Sequence, residues 1–256
     1  MVNDGLGDWR IALATTLAED VPPAFPGGPS HKKGTGVYLS TGYEHPEHGK
    51  LSFITPHPSA LAFNIAFKYS KEAKKLRSRL TKIAVVAPGG SAQAIPMTDI
   101  PFLYDYFELV MIVVTFSFQA IEAFLNNEIV HNAKGDIRVN RRNKWITYTP
   151  LEAERKLSTE EKAAVVLPEI LGISTPKGKI PWEGFKTLKT ARDSTIHIKN
   201  KDIHQLSESE NLFFNLLIDD PELYLKYAYQ LIEWFFKGRK PPRWVELLAL
   251  WPCNSE

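Results

Sequence analysis

Residues 101–131 read PFLYDYFELVMIVVTFSFQAIEAFLNNEIVH. The run predicts a helix that is apolar on nearly every face, and such a helix has to be buried. Asp99 is placed to cap it, and Pro101 falls in the first turn, where a missing N–H is tolerated. A buried helix of this length needs other elements packed around it. Two polar residues interrupt the apolar surface, Glu122 and Asn126, four apart and therefore on one face. A buried carboxylate needs a partner. Glu122 is either a surface group at a helix–helix boundary or, with Asn126, a support that orients a cation.

The segments that follow supply the packing partners. Ser158-Thr159-Glu160-Glu161 is a capping box opening TEEKAAVVLPEIL, which Pro168 limits and Gly172 ends. A helix is expected over 182–199, with Phe185, Leu188 and Ile196 facing the core. Helices over about 209–218 and 221–237 come next, the second announced by Asp219-Asp220-Pro221-Glu222. A short helix over 244–251 closes the chain. Short connections favour an antiparallel helical bundle, so the expected fold is mainly α. Between these helices, residues 132–149 carry turn residues and read as a loop with a short extended segment. A basic cluster, Arg138, Arg141, Arg142 and Lys144, lies there beside Trp145 and Tyr148, a combination suited to single-stranded nucleic acid.

Residues 1–98 read as a separate N-terminal extension to the helical domain at 99–256. A short helix is expected around 9–18, followed by an irregular arm rich in Pro and Gly. Val37, Leu39, Leu51 and Phe53 alternate with polar neighbours, which suits a small β-hairpin over 36–56. Residues 59–82 predict a helix capped by Ser59, with Leu61, Ile65, Phe67, Leu76 and Leu80 at helical spacing. Its C-terminal half is Lys- and Arg-rich and reads as a solvated face favoured by the helix dipole or, alternatively, as a polyanion contact. A strand and a turn are expected over 83–98. Gly89-Gly90-Ser91 is no phosphate loop, because the GK[ST] signature is missing.

Composition narrows the function classes. The 256 residues carry a net charge of +2, so nucleic-acid binding has to rest on local patches rather than on the whole molecule. A single cysteine, Cys253, excludes a disulfide framework and a multi-cysteine metal site. It fits a reducing, cytoplasmic compartment, as does an N-terminus without a signal-peptide pattern. The apolar run 109–114 is short and flanked by Asp105, Glu108 and Glu122, so no membrane span is expected. His45 and His48, with Glu44 and Glu47, sit in a Pro- and Gly-containing loop that fixes no ligand geometry, so no metal and no cofactor is expected. A metal hydrolase built on His45, His48 and His57 is the weakest reading.

The chemistry concentrates in residues 182–201, WEGFKTLKTARDSTIHIKNK. RNA cleavage without a metal needs a group to take the 2′-hydroxyl proton, a cation for the phosphoryl oxygens and a proton for the leaving 5′-oxygen. Histidine exchanges protons near neutral pH, and arginine matches phosphate oxygens bidentately. Arg192 and His197 supply both, with Asp193 placed to accept a hydrogen bond from either. Between 177 and 201 six lysines and Arg192 oppose only Glu183 and Asp193. Lys186, Lys189 and Lys199, with Arg141 and Arg142, are the cations expected to hold RNA. The bare spacing is weak evidence: ten arginines and seven histidines give about one such pair by chance. On an ideal helix it also separates Arg192 and His197 by roughly 140°.

ARDSTIH resembles the R-x4–6-H motif of the HEPN superfamily, with the polar residue that often follows its arginine. TFSFQAIEAFLNNEI is similar to an upstream bundle helix of such domains, and the lead-in from LEAERKLSTEEK is similar too. The resemblance covers about 105–235. It implies an α-helical bundle, commonly a homodimer whose Arg–His pairs meet at the subunit interface. It further implies a metal-independent endoribonuclease acting as a toxin or in phage defence, with an antitoxin or defence-system partner. Arg192 and His197 would be catalytic and Asp193 supporting. Other members of the superfamily are non-catalytic nucleotide- or protein-binding modules.

Overall fold

A computed structural model describes residues 7–23, 25–83, 85–86, 93–199, 202 and 211–248. They are mainly helical, with small two-stranded sheets, all antiparallel. The chain divides into two compact units, Met1–Leu61 with Lys240–Glu256, and Ala62–Arg239.

In the first unit, β1 (Leu13–Thr16) pairs with β2 (Gly36–Tyr38), and β3 (Ser40–His45) pairs with β4 (Gly49–Ile54). The helix expected around 9–18 is therefore a strand: the β-branched Thr15 and Thr16 extend and pair with Val37 and Gly36. The expected hairpin at 36–56 forms at β3–β4. Its alternation marks strands but no core, since Val37, Leu39, Leu51 and Phe53 are all exposed. Trp9 and Ala12 are buried, as are Trp244, Val245 and Leu248 of the last described helix, Arg243–Leu248. The Arg243 guanidinium donates to the carbonyls of Gly7 and Asp8, which ties the two ends of the unit together.

The helix α1 (Pro58–Ile83) places Ser59 inside its first turn. Ser59 is buried there and its hydroxyl makes no hydrogen bond, so it does not cap the helix. Beyond it, Ala62, Phe63, Ala66, Ala73 and Leu80 bury one face. The basic end is more than a solvated face. Lys74 pairs with Glu222. Arg77 donates to the carbonyls of Ile218 at 2.6 Å and Asp219 at 3.1 Å, satisfying a helix C-terminus. Arg79 lies over the Phe102 ring at 3.5 Å.

Strands β5 (Val85–Val86) and β6 (Gln93–Ala94) pair, while Gly89-Gly90-Ser91 lies outside the described residues. The long apolar stretch is α2 (Ile100–Asn132). Asp99 stands at its N-terminus without a capping hydrogen bond, because it belongs to a 3-10 turn, Met97–Asp99, and accepts from Thr98 instead. The stretch Met97–Asn132 is long and apolar enough to cross a membrane; half of its apolar window is buried inside the protein. It outruns the short apolar segment 109–114 because the helix continues smoothly through Glu122 and Asn126.

The segment 132–149 is a hairpin rather than a loop, β7 (Ile137–Arg141) with β8 (Lys144–Tyr148). Its two-residue turn sets both Arg142 (φ 50°) and Asn143 (φ 64°) in the left-handed region, the geometry that matches strand twist. Arg at the first turn position disguises this, since Asn-Gly is the usual signature. Next come α3 (Pro150–Lys156) and α4 (Thr159–Glu161), each opened by a capping box, Thr149/Glu152 and the expected Ser158/Glu161. A π-helical turn, Lys162–Val166, leads into α5 (Leu167–Leu171), which Gly172 ends at φ 65°. Pro168 explains the widening. It has no N–H for the Ala164 carbonyl; the Thr175 hydroxyl donates to that carbonyl at 2.7 Å.

The remaining helices are α6 (Ile180–Ile196), α7 (Leu212–Ile218) and α8 (Pro221–Trp234). Residues 209–210 and 249–251, expected to be helical, lie outside the described residues. The core joins α2, α6 and α8, each packed on the other two. Phe118 stacks near Phe185 at 6.0 Å, and Phe124 meets Phe235 at 5.7 Å. Tyr106 donates from this core to the Leu216 carbonyl at 2.9 Å, holding α7. Gly184 lets α6 approach α8 closely: a Cβ there would stand 2.5 Å from the Tyr227 ring.

Candidate functional site

Phe185 and Leu188 are fully buried and seat α6, so the face carrying Lys189, Arg192 and Asp193 is fixed relative to α2. Arg192 is half-buried in the last turn. Its guanidinium lies 4.0 Å from the Phe118 ring centroid and pairs with Asp193 at 2.8 Å. Asp193 also accepts from Lys189 at 2.8 Å, and Lys189 reaches Glu160 at 3.6 Å. These acids hold the Lys189 ammonium charged, raising its pKa, the Asp193 hydrogen bond contributing most. A guanidinium carries five N–H donors, more than one carboxylate uses.

The helix stops before His197. The His197 N–H still donates to the Asp193 carbonyl at 3.0 Å, but the residue itself leaves helical geometry (φ −120°, ψ 62°). The 140° separation of an unbroken helix therefore no longer governs the pair. His197 is exposed, and so are its neighbours Ile196 (53 %) and Ile198 (46 %). Ile196 was expected in the core; as the last residue of α6 it lies where the helix runs past its packing partners. Among the described residues, no hydrogen bond or ion pair joins the His197 ring to Arg192 or Asp193. Asp193 thus orients Arg192 and Lys189, not the imidazole.

Glu122 and Asn126 do not approach Arg192 as an orienting pair. They face Lys162, the first residue of the π-helical turn and only 2 % exposed. The Lys162 ammonium donates to Asn126 Oδ1 at 2.8 Å and to the Glu154 carbonyl at 2.6 Å, while the Thr159 hydroxyl donates to Glu122 at 3.3 Å. Burial pulls the Lys162 pKa down, and Glu122 is the foremost charge opposing it. Lys162 escaped sequence reasoning because it sits in an alanine- and valine-rich run. The signal was Glu122 with Asn126, which called for a cation on a facing helix.

The expected RNA-binding cations divide. Lys186 pairs with Glu183 at 2.7 Å, Lys189 with Asp193, and Arg141 reaches Glu161 with Nε at 2.6 Å in a bidentate pair. Arg142 and Lys199 are exposed, and the Lys199 backbone is held by the buried Asp202. Glu160 and Glu161 are consecutive, so one acidic turn fastens both the β7–β8 hairpin, through Arg141, and α6, through Lys189.

Two further places gather polar groups. His45 and His48 stack at 4.7 Å, and His45 accepts from the Glu47 N–H. Among the described residues no group of three or more His, Cys, Asp or Glu side chains is placed to hold a metal ion. A groove of about 570 Å³ runs along α6, α7 and α8, lined by Thr187, Thr190, Ser194, Asn215 and Tyr224 among others; neither Arg192 nor His197 lines it. Comparison of the chain with family models, with curated proteins and with solved structures returns no match.

Proposed function

We propose that the protein is a metal-independent endoribonuclease of HEPN type, working as a homodimer through Arg192 and His197. One observation carries this reading. The chain leaves α6 at an exposed histidine flanked by two exposed isoleucines, one turn from a half-buried, pre-oriented arginine. Solvated isoleucines on either side of the histidine suit a surface that a second copy covers. His197 takes the 2′-hydroxyl proton as that oxygen attacks phosphorus. Arg192, held by Asp193 and Phe118, stabilises the charge on the non-bridging oxygens. The P–O5′ bond breaks, a histidine proton passes to the leaving 5′-oxygen, and a 2′,3′-cyclic phosphate remains.

The test is cleavage of single-stranded RNA with chelator present. His197→Ala and Arg192→Ala are each expected to lose at least about 100-fold in rate, with circular dichroism unchanged. Ile198→Glu is expected to dissociate the dimer in sedimentation and to lose cleavage with it. Undiminished cleavage in both alanine variants overturns the proposal.

The engagement of Arg192 by Phe118 and Asp193 favours a second reading, a non-catalytic nucleotide- or protein-binding module. Wild-type protein that cleaves no RNA, with or without added divalent metal, yet binds nucleotide or a protein partner would establish that one instead.

A further inference from the structure

The β7–β8 hairpin has two unlike faces. The register sets Ile137 opposite Tyr148 and Val139 opposite Ile146 on one of them, and Ile137, Val139 and Tyr148 are buried. The other face pairs Arg138 with Thr147 and Asn140 with Trp145. There the indole of Trp145 is 62 % exposed, with the Arg138 guanidinium 5.5 Å from its centroid. Arg142 is exposed at the turn, and Lys144, exposed too, stands opposite Arg141 on the face of Ile137 and Val139. From Ile137 to Tyr148 the sequence IRVNRRNKWITY holds four cations and no acid.

We infer that this outer face is a stacking platform for unpaired bases of single-stranded RNA, with Trp145 beneath a base and Arg138 and the turn residue Arg142 along its phosphates. A solvated indole contributes nothing to the core, whereas its π-face accepts any base that is not already stacked in a duplex. The surrounding charge complements a polyanion. Arg141 belongs to the anchor rather than to the ligand. Its bidentate pair with Glu161 fixes the strand, and the adjacent Glu160 reaches Lys189, which holds Asp193 beside Arg192. A strand lying on the hairpin is thereby held at a set relation to the Arg192–His197 motif. The choice of RNA as occupant rests on the ribonuclease reading.

The experiment uses the full chain carrying His197→Ala, so that the probe is not consumed, and a labelled mixed-sequence single-stranded oligoribonucleotide. Trp145→Ala is expected to weaken binding by about 5- to 150-fold, the range for losing one stacked base. Trp145→Phe is expected to retain most of the affinity, Arg138→Ala to lose part of it, and duplex RNA of the same sequence to be indifferent to all three. Affinity unchanged in Trp145→Ala overturns the inference. So does equal weakening toward the duplex, or a loss of self-association in Trp145→Ala, which would make the hairpin a protein contact. The two proposals fail separately. Trp145-dependent binding in a wild type that never cleaves sinks only the nuclease; His197-dependent cleavage with binding indifferent to Trp145 sinks only the platform.

Discussion

Gly184 controls how α6, and with it Arg192 and His197, is seated. A Cβ at this position would lie 2.5 Å from Tyr227 Cδ1, 3.0 Å from Cγ and 3.2 Å from Cε1. Carbon atoms in contact sit about 3.5–4.0 Å apart, so the ring or the helix has to give by roughly 1 Å. The contacts are with the inner atoms of the ring, which cannot move aside without moving the side chain. Overpacking of this kind costs about 1–3 kcal/mol. Alanine in place of a mid-helix glycine returns about 1 kcal/mol. Gly184→Ala should therefore destabilise by about 1 kcal/mol net, lowering Tm by about 2–4 °C for a domain of this size. The sign should reverse once the ring is gone. In a Tyr227→Ala background the same change is expected to stabilise by about 1 kcal/mol, giving a coupling of about 2 kcal/mol between the two positions. Urea unfolding followed by far-UV circular dichroism on the four proteins of the cycle measures it. Stabilisation by Gly184→Ala in both backgrounds refutes the close-approach argument. If α6 shifts rather than Tyr227, RNA cleavage should fall by up to about 100-fold in a protein that is still folded.

Other consequences are measurable too. Glu161 is held at about 2, below its ordinary 4.5, chiefly by its hydrogen bond from Arg141 and further by Ser158. Its contribution to stability is therefore complete above pH 4.5 and lost as pH falls toward 2. Because the pair is partly solvated we expect about 1 kcal/mol, read as the acid-range difference between wild type and Glu161→Gln; parallel curves would show that the pair adds nothing. Lys162→Met should cost less than Lys162→Ala, since an apolar side chain of similar length leaves no cavity, although Glu122 loses its cation in both. Lys162→Ala should lose about 3 kcal/mol by leaving a cavity and Glu122 without its cation; equal losses in urea unfolding would assign the effect to hydrogen bonds alone. Tyr106 is raised to about 12 by burial. Its ionisation therefore opposes folding, and stability should fall as pH rises from 10 toward 12, more steeply than in Tyr106→Phe.

Legibility in the sequence followed the range of the interaction responsible. The Ser158/Glu161 box and the Gly172 stop are local: each is decided by backbone groups within a turn of the residue that satisfies them. The apolar surface of α2 is almost as local, because a helix that is hydrophobic all round has to be buried whatever covers it. Where a distant partner intervened, the local rule failed. Thr15 and Thr16 joined a strand through residues twenty positions on. Asp99 and Ser59 failed as caps for a local reason instead, the first held in a 3-10 turn and the second lying inside the first turn of α1.

The motif shows the same division. Arg192, Asp193 and His197 were visible as a spacing, and on spacing alone the arginine and histidine diverge around the helix. Only the fold ended α6 at Ile196 and turned His197 out between two solvated isoleucines. Only the fold set Arg192 on Phe118, 74 positions away in the chain, matched Glu122 and Asn126 to Lys162, and linked the Arg141 hairpin to α6 through neighbouring glutamates. The sequence by itself determined that the chain is a helical body around one buried helix, and which residues carry protons and positive charge. Which charges meet was decided by tertiary structure, because ion pairs and ring contacts form between whatever side chains the packed helices bring within a few ångströms, and no periodicity in the sequence encodes that meeting.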